Sequence, residues 1–561
     1  NFSLSYDATS VESLLTTSTD KTVDGVDYVR PVQVPLITHY QRLYYDSSED
    51  VVDGDNLYWH TGGVNHMHGV KWNELKYALK LNVIVKAIED KYTIDNGYSQ
   101  NLTFSDNFLN SASANDFSEL YMWLHRVKGK VTNGGQVETY NHTVDSFNNE
   151  DKTQSSMTSS RLRLKSFGQT SGANQVLRVN LNTNSTDNPY SFIIFRDGLS
   201  VYTSGTVTGN SNNVSVPVAI NKDYTIQINT TDNITFTEIS WGYSYYDSET
   251  QSTINENYFT PSSITIAQSI EFIISQQIPK MKILDFLTSI FKMFNLVAYV
   301  QGTEIVVETL DAYYASGESY NITKFIDVKE SQVNSVLPFR EIVFGYDGLG
   351  SFLTKRHNQL FNEDWGTEEY KTEDSSIFTG GIYKYSIPFE HMKFERLIDI
   401  SELNANPTFP VTDIQWGYSV DDNQESYIGK PLVFYMARQT ADISFIDAVD
   451  GNNTPTSSKK IENYFAPANS NLSLPDFLDR QSINFSPESD EWELTPNKKS
   501  LFNSYHSNYI SGVFNKSNRL TKMTALLPLR ILLSYTLRDR FVVSGKSYKI
   551  NSIETNMQNG K

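Results

Sequence analysis

The clearest hydrophobic pattern in the chain lies between residues 282 and 313. Its first part, residues 283–294, has the pattern of a helix. Asn295 is expected to end this helix, because Asn tolerates the left-handed conformation found at the end of many helices. Residues 296–300 and 303–308 have strand-like sequences, and Gln301-Gly302 between them favours a tight turn. The stretch therefore predicts an amphipathic helix docked on a β-hairpin, and it contains no catalytic constellation. The helix is predicted by apolar residues at the i, i+3, i+4, i+7 spacing of a core-facing stripe, namely Ile283, Leu284, Phe286, Leu287, Ile290, Phe291 and Phe294.

A second helical pattern lies at residues 72–92. A strand-like segment and an acidic, aromatic tail follow it up to residue 108, as they follow the first helix. We therefore expect two related modules, each a helix followed by strands, at 72–108 and 282–313. A shorter helix is expected at 116–131, with Leu120, Trp123 and Leu124 on one side. The buried face of the 72–92 helix is predicted to hold Trp72, Leu75, Leu79, Ile84, Val85, Ile88 and Tyr92.

Helical periodicity disappears between residues 130 and 262. Strand-like runs recur there about every 8–12 residues, separated by polar turns such as Asp197-Gly198. This spacing predicts an inserted β-sandwich or jelly roll of about seven or eight strands. A purely structural decoration is the favoured role, and carbohydrate binding through exposed aromatic rings is the alternative. The candidate carbohydrate contacts are Tyr190, Trp241, Tyr243 and Tyr246.

The region from residue 336 to residue 500 is predicted to be mostly β, with strands at 339–346, 381–387, 412–418 and 431–436. Long polar segments lie between these strands and are expected to contact partner subunits or to stay mobile. They cover residues 362–376, 448–460 and 466–498. Near the end of the chain, a hairpin around Ser544-Gly545 has one apolar face, which suits a barrel or a sandwich.

Together these patterns predict a multidomain α+β fold that is predominantly β. The length of 561 residues is too great for one hydrophobic core. The expected parts are an N-terminal αβ domain (1–129), the inserted β-sandwich (130–262), a helix–hairpin module (263–335), a β-rich middle domain with long loops (336–500) and a set of C-terminal strands (501–561).

Composition excludes several kinds of function. The chain has no cysteine, which rules out disulfides, thiolate metal sites and cysteine nucleophiles. Its net charge of −19 makes it a poor candidate for tight binding to a nucleic-acid backbone, which needs clusters of Lys and Arg. No run of about 18 apolar residues is present, so we expect no membrane span.

The histidines offer little chemistry. His60, His66 and His68 are close enough in sequence to bind Zn²⁺ or Ni²⁺. No supporting acidic ligand has a recognised spacing, however, and a Gly-rich loop with polar rings is the favoured interpretation. His357 is isolated, and His391 lies between apolar neighbours, where a hydrogen-bonded core or interface residue is expected.

The acidic residues offer no better site. Glu363-Asp364 and Glu368-Glu369 are the carboxylate pairs that a glycosidase would need, but adjacent carboxylates in a charged loop are usually solvated. The sequence has no phosphate-binding glycine loop, zinc-protease helix or nucleophile elbow. We therefore expect no enzyme activity, no catalytic residue, no cofactor and no metal ligand.

Three segments carry a resemblance to a known family. They are KILDFLTSIFKMFNLVAYVQGTEIVVETLDAYY at residues 282–314, the FIDV and PFREIVFGY segments that follow it, and LRDRFVVSGKSYKINSIETNMQNGK at the C-terminal end. These segments resemble bacteriophage tail hub proteins of the baseplate-hub or tail-tip class. The sandwich predicted at 130–262 has no counterpart in the minimal hub.

The resemblance implies a homotrimer in the virion, at the distal end of a phage tail, made in the bacterial host cytoplasm. It implies that the N-terminal domain and the C-terminal strands belong to tube-like β-barrels, two per chain, so that three chains imitate a six-fold ring. Such a hub would join the tail tube to tip, spike or fibre proteins. An acidic lumen would let DNA pass without binding it tightly.

Two functions from different classes follow. The first is a structural hub of a phage tail that lines the DNA channel. The second is a receptor- or carbohydrate-binding virion protein that acts through residues 130–262. A cell-wall hydrolase is the least supported reading, because no catalytic constellation is present. A stable monomer in the virion would contradict the first function, and glycan binding by an isolated 130–262 fragment would favour the second.

Overall fold

The computed structural model describes most of the chain. Strands hold 43% and helices 17% of it, which confirms a predominantly β, α+β fold. None of the sheets formed by the described residues closes into a barrel, so the tube-like barrels are not confirmed. The described residues are 3–17, 20–23, 26–48, 54–60, 67–110, 115–129, 131, 140–165, 170–186, 188–230, 234–266, 270–334, 339–372, 380–399, 414–449, 453–471, 480–487, 499–514 and 519–555.

The helix and hairpin predicted from the first pattern are confirmed. The central helix covers Ile283–Met293, and Asn295 follows it with a φ of 49°. The strands Leu296–Gln301 and Glu304–Thr309 pair antiparallel, and Gly302 in the turn has a φ of 66°. A positive φ at both positions is what Asn and Gly tolerate best, so the local sequence accounts for this unit.

The other α-helices in the described part of the chain have 4 to 11 residues. The α-helices cover Ala8–Thr16, Leu81–Lys91, Ile274–Gln277, Leu310–Ala315, Phe352–Phe361, Ser507–Val513 and Leu529–Leu532. Turns of 3₁₀-helix cover Trp72–Glu74, Ile94–Asn96 and Thr323–Phe325, and a π-helical turn covers Phe502–His506.

The helix predicted at 72–92 is wrong over its first half. The segment contains a 3₁₀ turn, then the strand Ala78–Lys80, and only then the helix Leu81–Lys91. The strand pairs with Val32–Gln33 on one side and with Leu120–Trp123 on the other. A strand that is hydrogen-bonded to a neighbouring strand on each side stays extended whatever the helical propensity of its residues. The helical spacing of the apolar residues therefore gave a wrong prediction here.

The helix predicted at 116–131 is also wrong. Leu120–Trp123 is a strand whose four residues are all buried. A run buried on both faces has no polar side, so its periodicity does not separate strand from helix. This strand lies at the centre of a five-stranded sheet with the order Tyr464–Ala468, Val433–Gln439, Leu120–Trp123, Ala78–Lys80 and Val32–Gln33.

The two related modules are not two copies of one unit. No hairpin follows the helix Leu81–Lys91 within residues 92–108. The extended segment around Phe104 instead forms a parallel bridge with Ile305 of the central hairpin. Both helices bury their apolar side chains in the same core. The similarity of the two stretches therefore reflects two neighbouring elements that share one core.

Residues 336–500 form strands close to all four predicted positions. All three predicted loops contain strand residues, because Glu368–Lys371 lies in 362–376, most of Pro455–Ile461 lies in 448–460 and Tyr464–Ala468 extends into 466–498. The part of 466–498 beyond Ser470 includes residues outside the described chain. The strands of this region cover Glu341–Gly348, Glu368–Lys371, Ile382–Glu390, Glu395–Leu397, Ile414–Tyr418, Val433–Gln439, Ile443–Val449, Pro455–Ile461 and Tyr464–Ala468.

The predicted β-sandwich is present as two facing sheets, one of seven strands and one of five. It has more strands than the sequence predicts, because several strands of two or three residues are too short to show an alternating pattern. The core between its sheets draws only on residues from Val144 to Ile266. In chain order the strands cover Tyr140–Thr143, Glu150–Asp151, Ser155–Met157, Leu162–Leu164, Thr170–Thr183, Tyr190–Arg196, Leu199–Thr203, Ser211–Val216, Lys222–Thr230, Ile234–Asp247, Ser252–Phe259 and Ile264–Ile266.

The other large cores cross the predicted domain boundaries. The largest contains Leu81, Phe286, Ile342 and Leu501, which come from four of the five predicted parts. Smaller sheets complete the fold with the strands Ser3–Tyr6, Lys21–Val23, Val26–Tyr28, Ile37–Thr38, Val70–Lys71, Ile270–Ile273, Ser319–Asn321, Ile326–Asn334, Leu520–Ala525, Arg540–Val543 and Lys546–Lys549. Among these strands, Leu520–Ala525 pairs with Ile326–Asn334, and Arg540–Val543 pairs with Ser319–Asn321.

Candidate assembly surface

Residues 519–555 form an extension that we call the C-terminal arm. Its first strand, Leu520–Ala525, pairs antiparallel with Ile326–Asn334. Its second strand, Arg540–Val543, pairs parallel with Ser319–Asn321 and antiparallel with Lys546–Lys549. The arm is thus joined to the rest of the chain by short strand pairs, and none of its residues belongs to the large hydrophobic cores.

The hairpin predicted near the C-terminal end is confirmed within the arm. Ser544 and Gly545 form its turn, with φ values of 48° and 79°. Positive φ at both central positions is typical of the tight turns that match the twist of a two-stranded ribbon. The backbone N–H of Ser544 also donates to the hydroxyl of Thr323 at 2.9 Å, which ties the turn to the neighbouring segment.

A buried carboxylate fastens the arm. Asp539 is 3% exposed, and it accepts hydrogen bonds from the backbone N–H groups of Glu318 at 2.7 Å and of Thr536 at 2.6 Å. The chain passes closely here, because a Cβ atom on Gly317 would overlap the carbonyl oxygen of Arg538. The arm therefore has a defined docked position even though it contributes no residue to the large hydrophobic cores.

The middle of the arm exposes a row of leucines, which we call the leucine ridge. The side chains of Leu526, Leu529, Leu533 and Leu537 are 53%, 66%, 78% and 51% exposed. Leu529 and Leu533 are one helical turn apart, since the N–H of Leu533 donates to the carbonyl oxygen of Leu529 at 3.0 Å. Ile531 points the other way and is buried. Clusters of exposed large apolar side chains are typical of surfaces that meet another molecule.

The arm is basic although the chain is acidic. Residues 519–555 contain seven Lys or Arg against two Asp or Glu, in a chain whose net charge is −19. Lys522 precedes the leucine ridge and Arg530 lies within it, and both are exposed. An acidic molecule with an apolar surface is therefore the partner that this arm fits best. The basic residues of the arm are Arg519, Lys522, Arg530, Arg538, Arg540, Lys546 and Lys549.

A second apolar surface lies beside the central helix. A cavity of about 560 Å³ is lined mainly by apolar side chains from the helix, the hairpin and the segment around Phe104. Leu284 at its edge is 73% exposed. Its lining includes Lys292, whose ammonium donates to the carbonyl oxygen of Ser386 at 2.9 Å. The cavity suits an apolar group rather than acid–base chemistry.

The candidate carbohydrate contacts do not form an exposed aromatic surface. Tyr190, Trp241 and Tyr243 are at most 2% exposed and lie in the sandwich core, so their predicted exposure is wrong. Tyr246 is half-buried. The alternation along the strand Ile234–Asp247 explains the difference, because residues 241 and 243 share one face and residue 246 lies on the other.

The structure describes two of the three histidines that are close in sequence. The rings of His60 and His68 have centroids 5.9 Å apart, and His66 lies outside the described residues. His391 is buried and stacks on Tyr346, as expected for a core residue. Burial lowers its pKa to about 4, and the amide oxygen of Asn484 lies 2.6 Å from its Nε2. Over the described part of the chain, no three potential metal ligands gather at one point.

The leucine ridge is not predicted from the sequence. Its spacing of three, four and four residues is visible in the sequence, but the same spacing marks a buried helix face. The excess of Lys and Arg around it was the available signal.

Comparison with known protein families, with characterised proteins and with solved structures gives no match for this chain. None of the helices in the described residues combines the length and the apolar character that crossing a membrane requires.

Proposed function

We propose that this chain is a structural subunit of a bacteriophage tail hub, a homotrimer that joins the tail tube to the distal tip or spike. The observation that carries the proposal is the leucine ridge on the basic C-terminal arm. Four leucines that are each at least half exposed are costly to leave in water, since burying one contributes roughly 2 kcal/mol. Assembly would bury them, which is the ordinary fate of such surfaces in oligomers.

The net charge of the chain supports a hub that lines the DNA channel. A net charge of −19 opposes tight contact with DNA, and a hub that lines the DNA channel must let DNA pass. The resemblance of residues 282–314 to tail hub proteins names the assembly. The confirmed helix and hairpin in this stretch are consistent with that resemblance, and they pack into the largest core of the molecule.

Imaging and mass measurement test the proposal together. Native mass spectrometry of the full chain is expected to give a trimer, and cryo-electron microscopy is expected to show a ring around a central channel. Antibody labelling of phage particles should place the chain at the distal end of the tail. A chain that stays monomeric in the particle, or a label elsewhere on the virion, would contradict the hub assignment.

A further inference from the structure

An acidic surface with exposed apolar side chains lies far along the chain from the arm. The helix Phe352–Phe361 ends with Leu360 and Phe361, which are 63% and 64% exposed. Asn362 ends the helix with a φ of 53°. Large apolar side chains at a helix end are normally covered by the following segment. Here they face solvent, so this helix end lacks a cover within the described part of one copy.

Carboxylates follow these two residues after Asn362. Glu363 and Asp364 come directly after the helix and are exposed, and the strand Glu368–Lys371 brings Glu368 and Glu369 nearby. We call Leu360, Phe361 and these four carboxylates the acidic patch.

Electrostatic repulsion within the acidic patch is visible on Glu368. Partial burial raises the pKa of its carboxyl, and the negative charges of Glu363 and Glu369 raise it further. Lys371 pairs with Glu369 at 2.6 Å between Nζ and Oε2, on a largely exposed side. The cluster would be stabilised by cations brought from another surface.

We propose that the C-terminal arm of one copy docks on the acidic patch of a second copy, with the leucine ridge covering Leu360 and Phe361. The inference rests on the proposed homo-oligomeric function and names the two surfaces that would form its interface. Arg530 and Lys522 of the arm supply the positive charge that Glu363 and its neighbours need. Both surfaces carry exposed leucines, so the contact combines apolar burial with charge complementarity.

Charge complementarity favours a second copy over other partners. The chain is strongly acidic, so two copies repel each other unless a basic surface meets an acidic one, and the arm is that basic surface. Each copy carries both halves of the contact, and both halves stay exposed in the single chain. A contact between two different patches of identical subunits forms a ring when the rotation closes, which suits a hub around a channel.

Two single variants and their combination test the contact. In Arg530→Glu the arm loses a cation, and in Glu363→Arg the patch loses an anion. Each is expected to raise the dissociation constant of the oligomer at least about tenfold, measured by mass photometry across a dilution series. The double variant Arg530→Glu/Glu363→Arg is expected to recover most of that loss, because the charges are exchanged and not removed.

Apolar variants and surface controls complete the design. Leu533→Ser and Phe361→Ser should weaken the oligomer by a similar factor, whereas Leu199→Ser, on an equally exposed leucine of the sandwich, should not. Circular dichroism must show the same spectrum for every variant, which separates lost assembly from lost folding. Glu249→Arg, on an exposed turn, is the matched charge control.

The outcomes separate this inference from the proposed function. A wild-type chain that remains monomeric at every concentration would overturn both. A wild-type oligomer that all four single variants leave intact would overturn the docking surfaces alone. A monomer that binds phosphatidylglycerol vesicles through Arg530 and Leu533 would also overturn the inference, because the arm would then be a membrane-binding element.

Discussion

The buried carboxylate of Asp539 accepts a hydrogen bond from the backbone N–H of Glu318 at 2.7 Å. This contact joins two segments that are 221 residues apart in the sequence. The second carboxylate oxygen of Asp539 accepts a hydrogen bond from the backbone N–H of Thr536. One side chain therefore holds both the segment that leads into the second strand of the arm and the neighbouring segment at Glu318. Asp539 therefore helps to set the docked position of the arm, together with the strand pairs.

Replacing Asp539 by alanine should release the arm without unfolding the molecule. Two backbone N–H groups would lose a charged acceptor that is itself buried, which costs about 2–3 kcal/mol. Hydrogen exchange is expected to lose protection roughly 30- to 150-fold in residues 317–321 and 536–549, while the sandwich keeps its protection. Glu554→Ala, at an exposed acidic residue of the same arm, is the control and should leave exchange unchanged.

Gly317→Ala should displace the same segment for a steric reason. A Cβ atom at this position would overlap the backbone carbonyl of Arg538, and backbone is less able to move aside than a flexible side chain. We expect the arm of this variant to be less stable, and hydrogen exchange measured at increasing temperature should show it losing protection earlier than in the wild type. We also expect a loss of oligomer. Gly205→Ala is the matched control, because its new Cβ would meet no atom within 4 Å. Equal behaviour of the two variants would contradict the close approach.

Trp241→Ala should destabilise the sandwich and not simply remove a surface ring. The indole is 1% exposed and lies in the core between the two sheets. Truncating a buried tryptophan costs about 3–5 kcal/mol. Urea unfolding followed by circular dichroism is expected to show this loss, whereas Leu199→Ala at an exposed site should change stability by less than about 0.5 kcal/mol. A Trp241 variant of full stability would mean that the ring is exposed after all.

The sequence predicted elements well where one face is polar and the other apolar. The central helix, Ile283–Met293, has such a stripe, and Asn295 and Gly302 mark its end and the following turn. Prediction failed where burial is two-sided. Leu120–Trp123 and Ala78–Lys80 are buried throughout and take their conformation from strands that are distant in the chain. Long-range pairing of this kind leaves no local pattern to read.

The candidate site was harder to predict because exposure is a property of the whole fold. Trp241 and Leu533 are both large apolar residues in regular patterns, yet one is 1% and the other 78% exposed. The alternation around Trp241 limits it to one face of a strand but does not say which face is covered. The ridge around Leu533 is uncovered because the arm has no large core of its own. The excess of Lys and Arg in residues 519–555 is the feature of the site that can be read directly from the sequence.

Lys76→Met should stabilise the protein most at neutral pH. Lys76 is 1% exposed, and burial lowers the pKa of its ammonium group to about 7. Its Nζ donates to the carbonyl oxygen of Val127, and its charge disfavours protonation of the buried His39 and His125 nearby. The unfolded chain, with an ordinary lysine pKa of 10.5, binds more protons than the folded chain between pH 7 and 10.5. The free energy of unfolding therefore rises with pH across that window and loses this contribution as the pH falls toward 7.

The size of the effect follows from the shift, at about 1.4 kcal/mol per pKa unit, or roughly 4–5 kcal/mol across the window. Methionine fills a similar volume and carries no charge, so this contribution to the pH dependence disappears in the variant. Urea unfolding at pH 7, 8 and 9.5 is expected to show the free energy of the wild type rising relative to that of Lys76→Met. Lys522→Met, at an exposed lysine of the arm, should keep the wild-type slope. Parallel curves for Lys76→Met and the wild type would show that Lys76 reaches water in the folded protein.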